Sequence, residues 1–102
     1  MRLLSRNAAV LISMFLGSPN TPRYGYELLR DTGMKSGSLY PILHRFEELG
    51  WVDGKMHLSP GNRPPRRVYC LDASGRPGAQ AALDRFLEVK DITSAELLAM
   101  LA

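Results

Sequence analysis

The stretch that decides the fold covers residues 36–51 and reads SGSLYPILHRFEELGW. Its apolar side chains recur at steps of three and four residues, the spacing that places them on one face of an α-helix. Pro41 falls within this pattern, and Gly50 follows its last apolar position. The pattern predicts an amphipathic helix with a proline near its start and a glycine at its end. The apolar face consists of Leu39, Ile42, Leu43, Phe46 and Leu49.

The cost of Pro41 depends on which residue caps this helix. Proline has no backbone N–H, so it costs least where the N–H groups of a helix have no partner in any case. Ser36 and Ser38 are both suited to the N-cap position. With Ser38 as the cap Pro41 costs almost nothing, whereas with Ser36 one hydrogen bond to the carbonyl of Gly37 is lost. The sequence leaves both serines open as the cap.

A shorter helix precedes this one and completes a known motif. The segment YGYELLRDTG at 24–33 predicts a helix over about residues 25–32, with Gly33 in the position that ends many helices. Two short helices joined by a few residues, the second of them amphipathic, form the helix-turn-helix pattern.

The N-terminal segment predicts one more helix, over about residues 2–16 and buried on most sides. Arg2 and Arg6, followed by an apolar run, also outline a short signal peptide, but the small residues of a cleavage site are missing. The run is too short to span a membrane. A loop follows at residues 17–23, GSPNTPR, because glycine and proline interrupt regular structure.

Beyond Gly50 the pattern changes from helix to strand. The segments 51–59 and 66–72 are rich in strand formers, and the turn formers PGNRPP separate them at 60–65. We expect a two-stranded hairpin, with Trp51 in the core beneath it and Cys70 facing inward as a small buried residue. A helix-turn-helix followed by such a hairpin, or wing, is a winged helix, a mainly helical α+β fold. In such a fold we expect the amphipathic helix to enter the major groove of DNA and the wing to lie over phosphates or in the adjacent minor groove.

Composition and charge agree with a nucleic-acid partner. The 102 residues suit one small domain with a net charge of +3, and the single cysteine excludes an internal disulfide and predicts a reducing, cytoplasmic location. From residue 55 to 76 there are five basic residues and one acidic residue, whereas residues 84–102 hold two basic and four acidic ones. A basic middle favours an anionic partner, although a solvated surface loop has the same composition.

Catalysis and metal binding have no support in the sequence. His44, His57 and Cys70 match no zinc-binding spacing, and there is no glycine loop of the phosphate-binding kind. We therefore predict no enzymatic activity, no cofactor and no metal site.

Several motifs together resemble the PadR family of bacterial transcriptional regulators. They cover roughly residues 8–76, and the most specific of them is GSLYPIL at 37–43. The others are GYEL at 25–28, EELGWV at 47–52, RRVYCL at 66–71 and SGR at 74–76. The resemblance implies a homodimeric repressor that binds an inverted-repeat operator in double-stranded DNA, often with a small-molecule inducer that lowers its affinity for DNA.

The resemblance also implies which residues meet DNA, at the start of the third helix and on the wing. His44 and Arg45, farther along the same helix, are additional candidates because an arginine can pair with guanine. The alternatives are a solvent-facing role for His44, and a phosphate or a neighbouring carboxylate as the partner of Arg45. The residues that the resemblance implies are Ser36, Ser38, Tyr40, Pro41, Arg63, Arg66 and Arg67.

Two departures from the family pattern leave alternatives open. The loop before Tyr24 is longer than is usual in the family, so either Arg23 adds a phosphate contact or the loop is simply tolerated. Pro77 and Gly78 fall where the family continues a long helix. That helix either starts with Pro77 in its first turn or bends there.

The C-terminal segment is predicted to carry the dimer, because short PadR-like proteins pair their C-terminal helix with the first helix of a partner. The chain then divides into a winged helix-turn-helix domain at 1–72 and a helical dimerisation region at 73–102 that packs on the same domain. Thr93 and Glu96 form a capping-box pattern, which predicts a last short helix near Thr93. The alternative is that this segment packs only on its own domain. The expected interface residues are Leu4, Val10, Leu11, Leu83, Phe86, Leu87, Leu97, Leu98 and Leu101.

Two functions from different classes remain. The first is a sequence-specific DNA-binding regulator, and the second is a winged-helix module for protein contact, such as an antirepressor, without specific DNA binding. The arginines clustered around the wing favour the first, since a module of the second kind has little need of them.

Replacing the two arginines at the exit of the wing tests this assignment. We expect Arg66→Ala combined with Arg67→Ala to weaken binding to every duplex and to flatten its salt dependence, because fewer counterions are released from DNA. Binding titrations over a series of salt concentrations measure both effects. Wild-type affinity across that series would contradict the wing assignment.

Overall fold

The computed structural model of the chain describes residues 2–58, 60–61 and 63–101. Within them the helix-rich α+β arrangement confirms the predicted winged-helix class, and no helix is long and apolar enough to cross a membrane. The elements are α1 (Arg6–Gly17), β1 (Arg23–Tyr24), α2 (Gly25–Thr32), α3 (Ser36–Glu48), β2 (Val52–His57), β3 (Arg66–Leu71), α4 (Arg76–Lys90) and α5 (Ser94–Ala99).

Helix α1 forms the centre of the hydrophobic core. It begins later than the predicted start near residue 2, because the Ser5 hydroxyl caps it by accepting a hydrogen bond from the N–H of Ala8 at 3.1 Å. Residues 8–13 and Phe15 are buried, which confirms a helix buried on most sides. Helices α4 and α5 and strand β3 pack against it.

Five of the residues predicted at a dimer interface are instead buried within one chain. The cause is the packing of α1 against α4 and α5 of the same chain, which encloses their apolar faces. Leu4, Leu87 and Leu101 are half-buried, and Leu98 is 39% exposed. Of the predicted set, these four alone have surface left for a partner. The five buried residues are Val10, Leu11, Leu83, Phe86 and Leu97.

Helix α3 turns one face to the core and keeps the other exposed. Leu39, Leu43 and Phe46 are buried, and Ile42 is half-buried. Leu49 lies just past the last helical residue and is 40% exposed. The predicted apolar stripe therefore holds for its first four positions and ends before the fifth.

The start of α3 differs from both predicted alternatives. Lys35 occupies the N-cap position without a hydrogen bond from its side chain, and its carbonyl accepts the N–H of Ser38 at 2.9 Å. Because the chain enters the helix at Lys35, Ser36 is already helical and neither serine is the cap. Pro41 is the sixth helical residue, so the hydrogen bond to the carbonyl of Gly37 is lost.

The wing belongs to a three-stranded antiparallel sheet with the order β1-β3-β2. The predicted hairpin of β2 and β3 is present. Strand β1 pairs with β3 as a third strand that the sequence does not predict, because a strand of only two residues is too short to show alternating apolar and polar side chains. Tyr69 is buried whereas Cys70 is half-buried, so the prediction that Cys70 faces inward is wrong. The register explains this, since Tyr69 pairs with Gly54 and Arg23 on the side of the sheet that packs against the helices.

Trp51 connects α3 with the wing. Its ring centroid lies 5.4 Å from that of Phe46, and its backbone N–H donates to the Phe46 carbonyl at 2.9 Å. Its own carbonyl accepts the N–H of Asp72, just after β3, at 2.8 Å. Trp51 is buried, which confirms its predicted place in the core beneath the wing.

The structure shows how both helices after the wing begin. Helix α4 begins at Arg76, so Pro77 stands in the first turn, where a proline is tolerated, and the alternative of a bend is not needed. Helix α5 has the predicted capping box. Thr93 Oγ1 accepts the N–H of Glu96 at 3.1 Å, and the Glu96 carboxylate accepts the N–H of Thr93 at 3.3 Å.

Gly75 allows the start of α4 to approach Trp51. A Cβ at Gly75 would overlap the carbonyl oxygen of Gly50 and lie 2.8 Å from Cα of Trp51. We expect Gly75→Ala to lower the free energy of unfolding by about 2 kcal/mol or more, because backbone rather than a flexible side chain fills that space. Urea denaturation followed by circular dichroism measures the loss.

Gly17→Ala is the matched control for this substitution. Within the described residues nothing lies within 4 Å of a Cβ at Gly17. Because alanine favours helix more than glycine does, we expect a small stabilisation of no more than about 1 kcal/mol. Equal losses in the two variants would contradict the close packing at Gly75.

Candidate nucleic-acid interface

Helix α3 presents the predicted DNA-facing residues on its exposed side. Because Leu39, Leu43 and Phe46 face the core, residues 37, 41 and 44 point to solvent from the opposite face. His44 Nε2 lies 3.8 Å from a carboxylate oxygen of Glu48, but both side chains are more than half exposed, so this contact contributes little. The predicted residues of this helix, all exposed, are Ser36, Ser38, Tyr40, Pro41, His44 and Arg45.

The two edges of this outer face meet different neighbours. Tyr40 lies at the edge toward the wing and shares a cleft with Arg66 and Arg67. Arg45 lies at the other edge, in a cleft that it shares with Arg2 from the segment before α1. Positive side chains therefore flank α3 on both sides.

The three predicted wing arginines have different surroundings. Arg63 is exposed in the connection between β2 and β3. Arg66 is exposed at the start of β3, and its guanidinium carbon lies 4.9 Å from the ring centroid of Tyr26, a cation–π distance. Arg67 alone of the three forms an ion pair within the described residues.

Arg67 ties the wing to α3. Its Nη2 lies 3.2 and 3.3 Å from the two carboxylate oxygens of Glu47, and its Nε donates to the hydroxyl of Tyr69 at 3.2 Å. The hydrogen bonds to Tyr69 and Glu47 raise the pKa of Arg67 above its usual value, so the guanidinium stays charged. Burial raises the pKa of Tyr69, which keeps its hydroxyl protonated. Because Glu47 balances its charge, Arg67 holds the wing in position more than it attracts an anion.

Arg23 lies in strand β1 rather than in a free loop. The residue is half-buried, its Nη2 donates to the carbonyl of Met14 near the end of α1 at 3.4 Å, and its Nε is buried. A cation is favourable at the C-terminal end of a helix. The predicted phosphate contact of Arg23 would require the side chain to leave this position.

Aromatic residues outside the set predicted to meet DNA surround the base of the wing. Tyr24 and Tyr26 stack with ring centroids 5.5 Å apart, and His57 meets Tyr24 edge-on at 5.9 Å. The available signal is the pair of tyrosines on either side of Gly25. The pairing of β1 with β3, which brings them to the wing, is not visible in the sequence.

A cleft of about 360 Å³ separates the wing from α2 and α3. A Cβ at Gly25 would lie 2.6 Å from Oη of Tyr40, so the missing side chain lets Tyr40 reach the start of α2. Among the described lining residues none is acidic, and the described chain holds no group of three or more side chains that could bind a metal ion. The cleft is lined by Gly25, Tyr26, Tyr40, Pro65, Arg66 and Arg67.

The fold and this surface define a winged-helix protein with an exposed helix beside a basic wing. The family model described as "Transcriptional regulator PadR-like family" matches residues 16–81, and the chain belongs to this family. It is therefore a transcriptional regulator of the DNA-binding kind. None of the curated proteins matches the chain.

Solved structures share the fold at low sequence identity. A PadR family transcriptional regulator from Eggerthella lenta is 22% identical with a TM-score of 0.65, over 84% of this chain and 79% of that one. A PadR family transcription regulator from Clostridium difficile is 20% identical with a TM-score of 0.63, over 82% and 91%. The circadian clock associated protein Pex from anabaena is 18% identical with a TM-score of 0.61, over 85% and 81%. At these identities the likeness shows the fold alone.

Breaking the contact between Arg67 and Glu47 tests whether Arg67 holds the wing in position or attracts the DNA phosphates directly. We expect Arg67→Gln to weaken binding to duplex DNA, because it leaves the Glu47 carboxylate unbalanced beside the phosphates. Adding Glu47→Gln removes that repulsion and should restore part of the affinity, with a coupling energy of about 0.5–1 kcal/mol. Fluorescence anisotropy titrations of the four proteins against one duplex measure the cycle.

Glu48→Gln is the matched control for that cycle, since Glu48 lies one position along α3 and does not contact Arg67. Its effect on affinity should be the same with and without Arg67→Gln. Strictly additive effects of the substitutions at Arg67 and Glu47 would contradict a functional link between them.

Proposed function

We propose that the protein is a homodimeric repressor that binds an inverted-repeat operator with α3 and the wing of each subunit. The observation that carries this proposal is the contact between Arg67 and Glu47, which joins the wing to a helix with an exposed outer face. Joined in this way, α3 and the wing can meet one duplex as a single surface.

The outer face of α3 supports base recognition. An α-helix fits the major groove of B-DNA, and α3 has 13 residues with Pro41 and His44 on its outer face. Arg45 at the edge of this face is suited to pair with guanine. Ser36 and Ser38 are exposed and do not cap the helix, so their hydroxyls can donate to phosphates at its start.

The wing supports contact with the DNA backbone. Arg63 and Arg66 are exposed and, within the described residues, lie in no ion pair with a carboxylate. Charged side chains of this kind neutralise phosphates and supply affinity that does not depend on sequence. Specificity then belongs to α3, and the wing fixes its register on the duplex.

The dimer is proposed on α4, α5 and the segment before α1. Val89 on α4 is 59% exposed, and Leu98 and Met100 at α5 are 39% and 48% exposed. Burying such side chains across a two-fold axis would stabilise a chain with a small core. A cleft of about 400 Å³ at the same place is lined by Leu4, Ser5, Arg6, Phe86, Lys90, Ile92 and Met100.

The proposal includes release from the operator by a small molecule. It is supported by the family resemblance and by a cleft of about 300 Å³ between α3 and the segment before α1. Pro41, Ile42 and Arg45 of α3 line this cleft, together with Leu3 and Trp51. A ligand bound there would touch the helix that reads DNA, so its binding and DNA binding would be coupled.

Selection from random duplex DNA, followed by sequencing, tests the proposal. We expect one enriched inverted repeat with half-sites about one helical turn apart, or a multiple of it, because each subunit contributes one α3. Transcription from a promoter overlapping that repeat should fall when the protein is added. Enrichment without symmetry would contradict the dimer, and no enrichment would favour a protein-contact module.

Charges on α5 test the proposed dimer surface. We expect wild-type protein at micromolar concentration to scatter light as twice the 11.3 kDa chain mass. Leu98→Glu combined with Met100→Glu should give the single-chain mass, because unpaired carboxylates are costly to bury. The control Leu58→Glu, at a leucine 76% exposed beside the wing, should leave the dimer intact. A wild-type monomer, or a dimer that survives both charges, would contradict this surface.

A further inference from the structure

The cleft between the wing, α2 and α3 contains hydrogen-bond donors that the fold does not use. Among the described tyrosines, the hydroxyl of Tyr69 accepts a bond from Arg67, whereas those of Tyr26 and Tyr40 have no partner in the described chain. Tyr26 and Tyr40 are 46% and 38% exposed and both line this cleft. Each hydroxyl is therefore free to donate to a bound group.

Arg66 is held at the edge of the cleft by an aromatic stack. Its guanidinium carbon lies 4.9 Å from the ring centroid of Tyr26, and Tyr24 stacks on that ring with an angle of 27° between the planes. A guanidinium that lies on a ring keeps the N–H donors along its edge available. Because the stack limits the freedom of the side chain, less entropy is lost when Arg66 binds an anion.

Among the described residues, no carboxylate competes for these donors. Glu47 accepts both contacts from Arg67, and Glu27 accepts the backbone N–H of Tyr24 at 3.1 Å. Neither glutamate lines the cleft. With Arg67 balanced by Glu47, Arg66 supplies the uncompensated positive charge among the described lining residues.

We infer that this cleft is a binding site, here called the seat, for one backbone phosphate of duplex DNA. The phosphate pairs with Arg66 and accepts hydrogen bonds from Tyr26 and Tyr40. A phosphodiester carries one negative charge on two non-bridging oxygens, which matches one cation and two neutral donors. The inference rests on the proposed binding of DNA by α3 and the wing, because Tyr40 connects the seat to the outer face of α3. Gly25 belongs to the seat, since a side chain there would displace the Tyr40 hydroxyl.

The test replaces the phosphates of the selected duplex, one at a time, by uncharged methylphosphonates. At one phosphate of each half-site, we expect the replacement to weaken wild-type binding about tenfold, because charge-assisted hydrogen bonds are lost. Tyr26→Phe keeps the ring beneath Arg66 and removes only the hydroxyl. In the Tyr26→Phe variant, replacement of the same phosphate should weaken DNA binding less than about threefold, since the hydrogen bond from the tyrosine hydroxyl is already absent.

Two further variants make the result specific. Tyr40→Phe should show the same reduced sensitivity at the same phosphate, whereas Tyr24→Phe should keep the wild-type profile because Tyr24 does not line the cleft. If Tyr26→Phe and Tyr40→Phe match wild type at every phosphate, the seat is overturned while DNA binding stands. If the wild-type protein binds no duplex, the proposed function is overturned and the seat with it.

Discussion

The junction at Trp51 is the constraint on which the rest of the structure depends. Its backbone N–H is bonded to Phe46 near the end of α3, and its carbonyl to Asp72 just after β3. Gly75 brings the start of α4 against the same backbone, at a distance that leaves no room for a side chain. Because three contacts meet at one buried residue, α3, the wing and α4 cannot shift independently of one another.

This junction determines which surface of the protein is free to bind. With Phe46 packed on Trp51, the inner face of α3 belongs to the core, and the outer face around Pro41 is left to solvent. The contact between Arg67 and Glu47 then sets the wing beside the same helix. The positions of α3 and the wing at the candidate interface therefore follow from the packing of the core. The positive charge of this surface comes instead from arginines that the core does not require.

The parts of the fold that the sequence predicts are those with a local signal. Helical spacing located α2 and α3, turn formers located the wing, and the pattern at Thr93 located α5. The inward orientation of Tyr69 rather than Cys70 depends on strand register, which no short segment determines. At the candidate site the arginines are visible as charge, but Arg67 and Glu47 are 20 residues apart and meet only in the fold. Apolar residues that pack within one chain look the same in sequence as those that pack between two chains.

The measurement that tests this account most directly is hydroxyl-radical footprinting of the bound duplex. If α3 and the wing act as one surface, each half-site should show two protected stretches of backbone on one face of the helix, one beside the major groove and one beneath the wing. The two half-sites should be related by two-fold symmetry. Protection of a single unsymmetrical stretch, or protection that survives removal of the wing arginines unchanged, would contradict it.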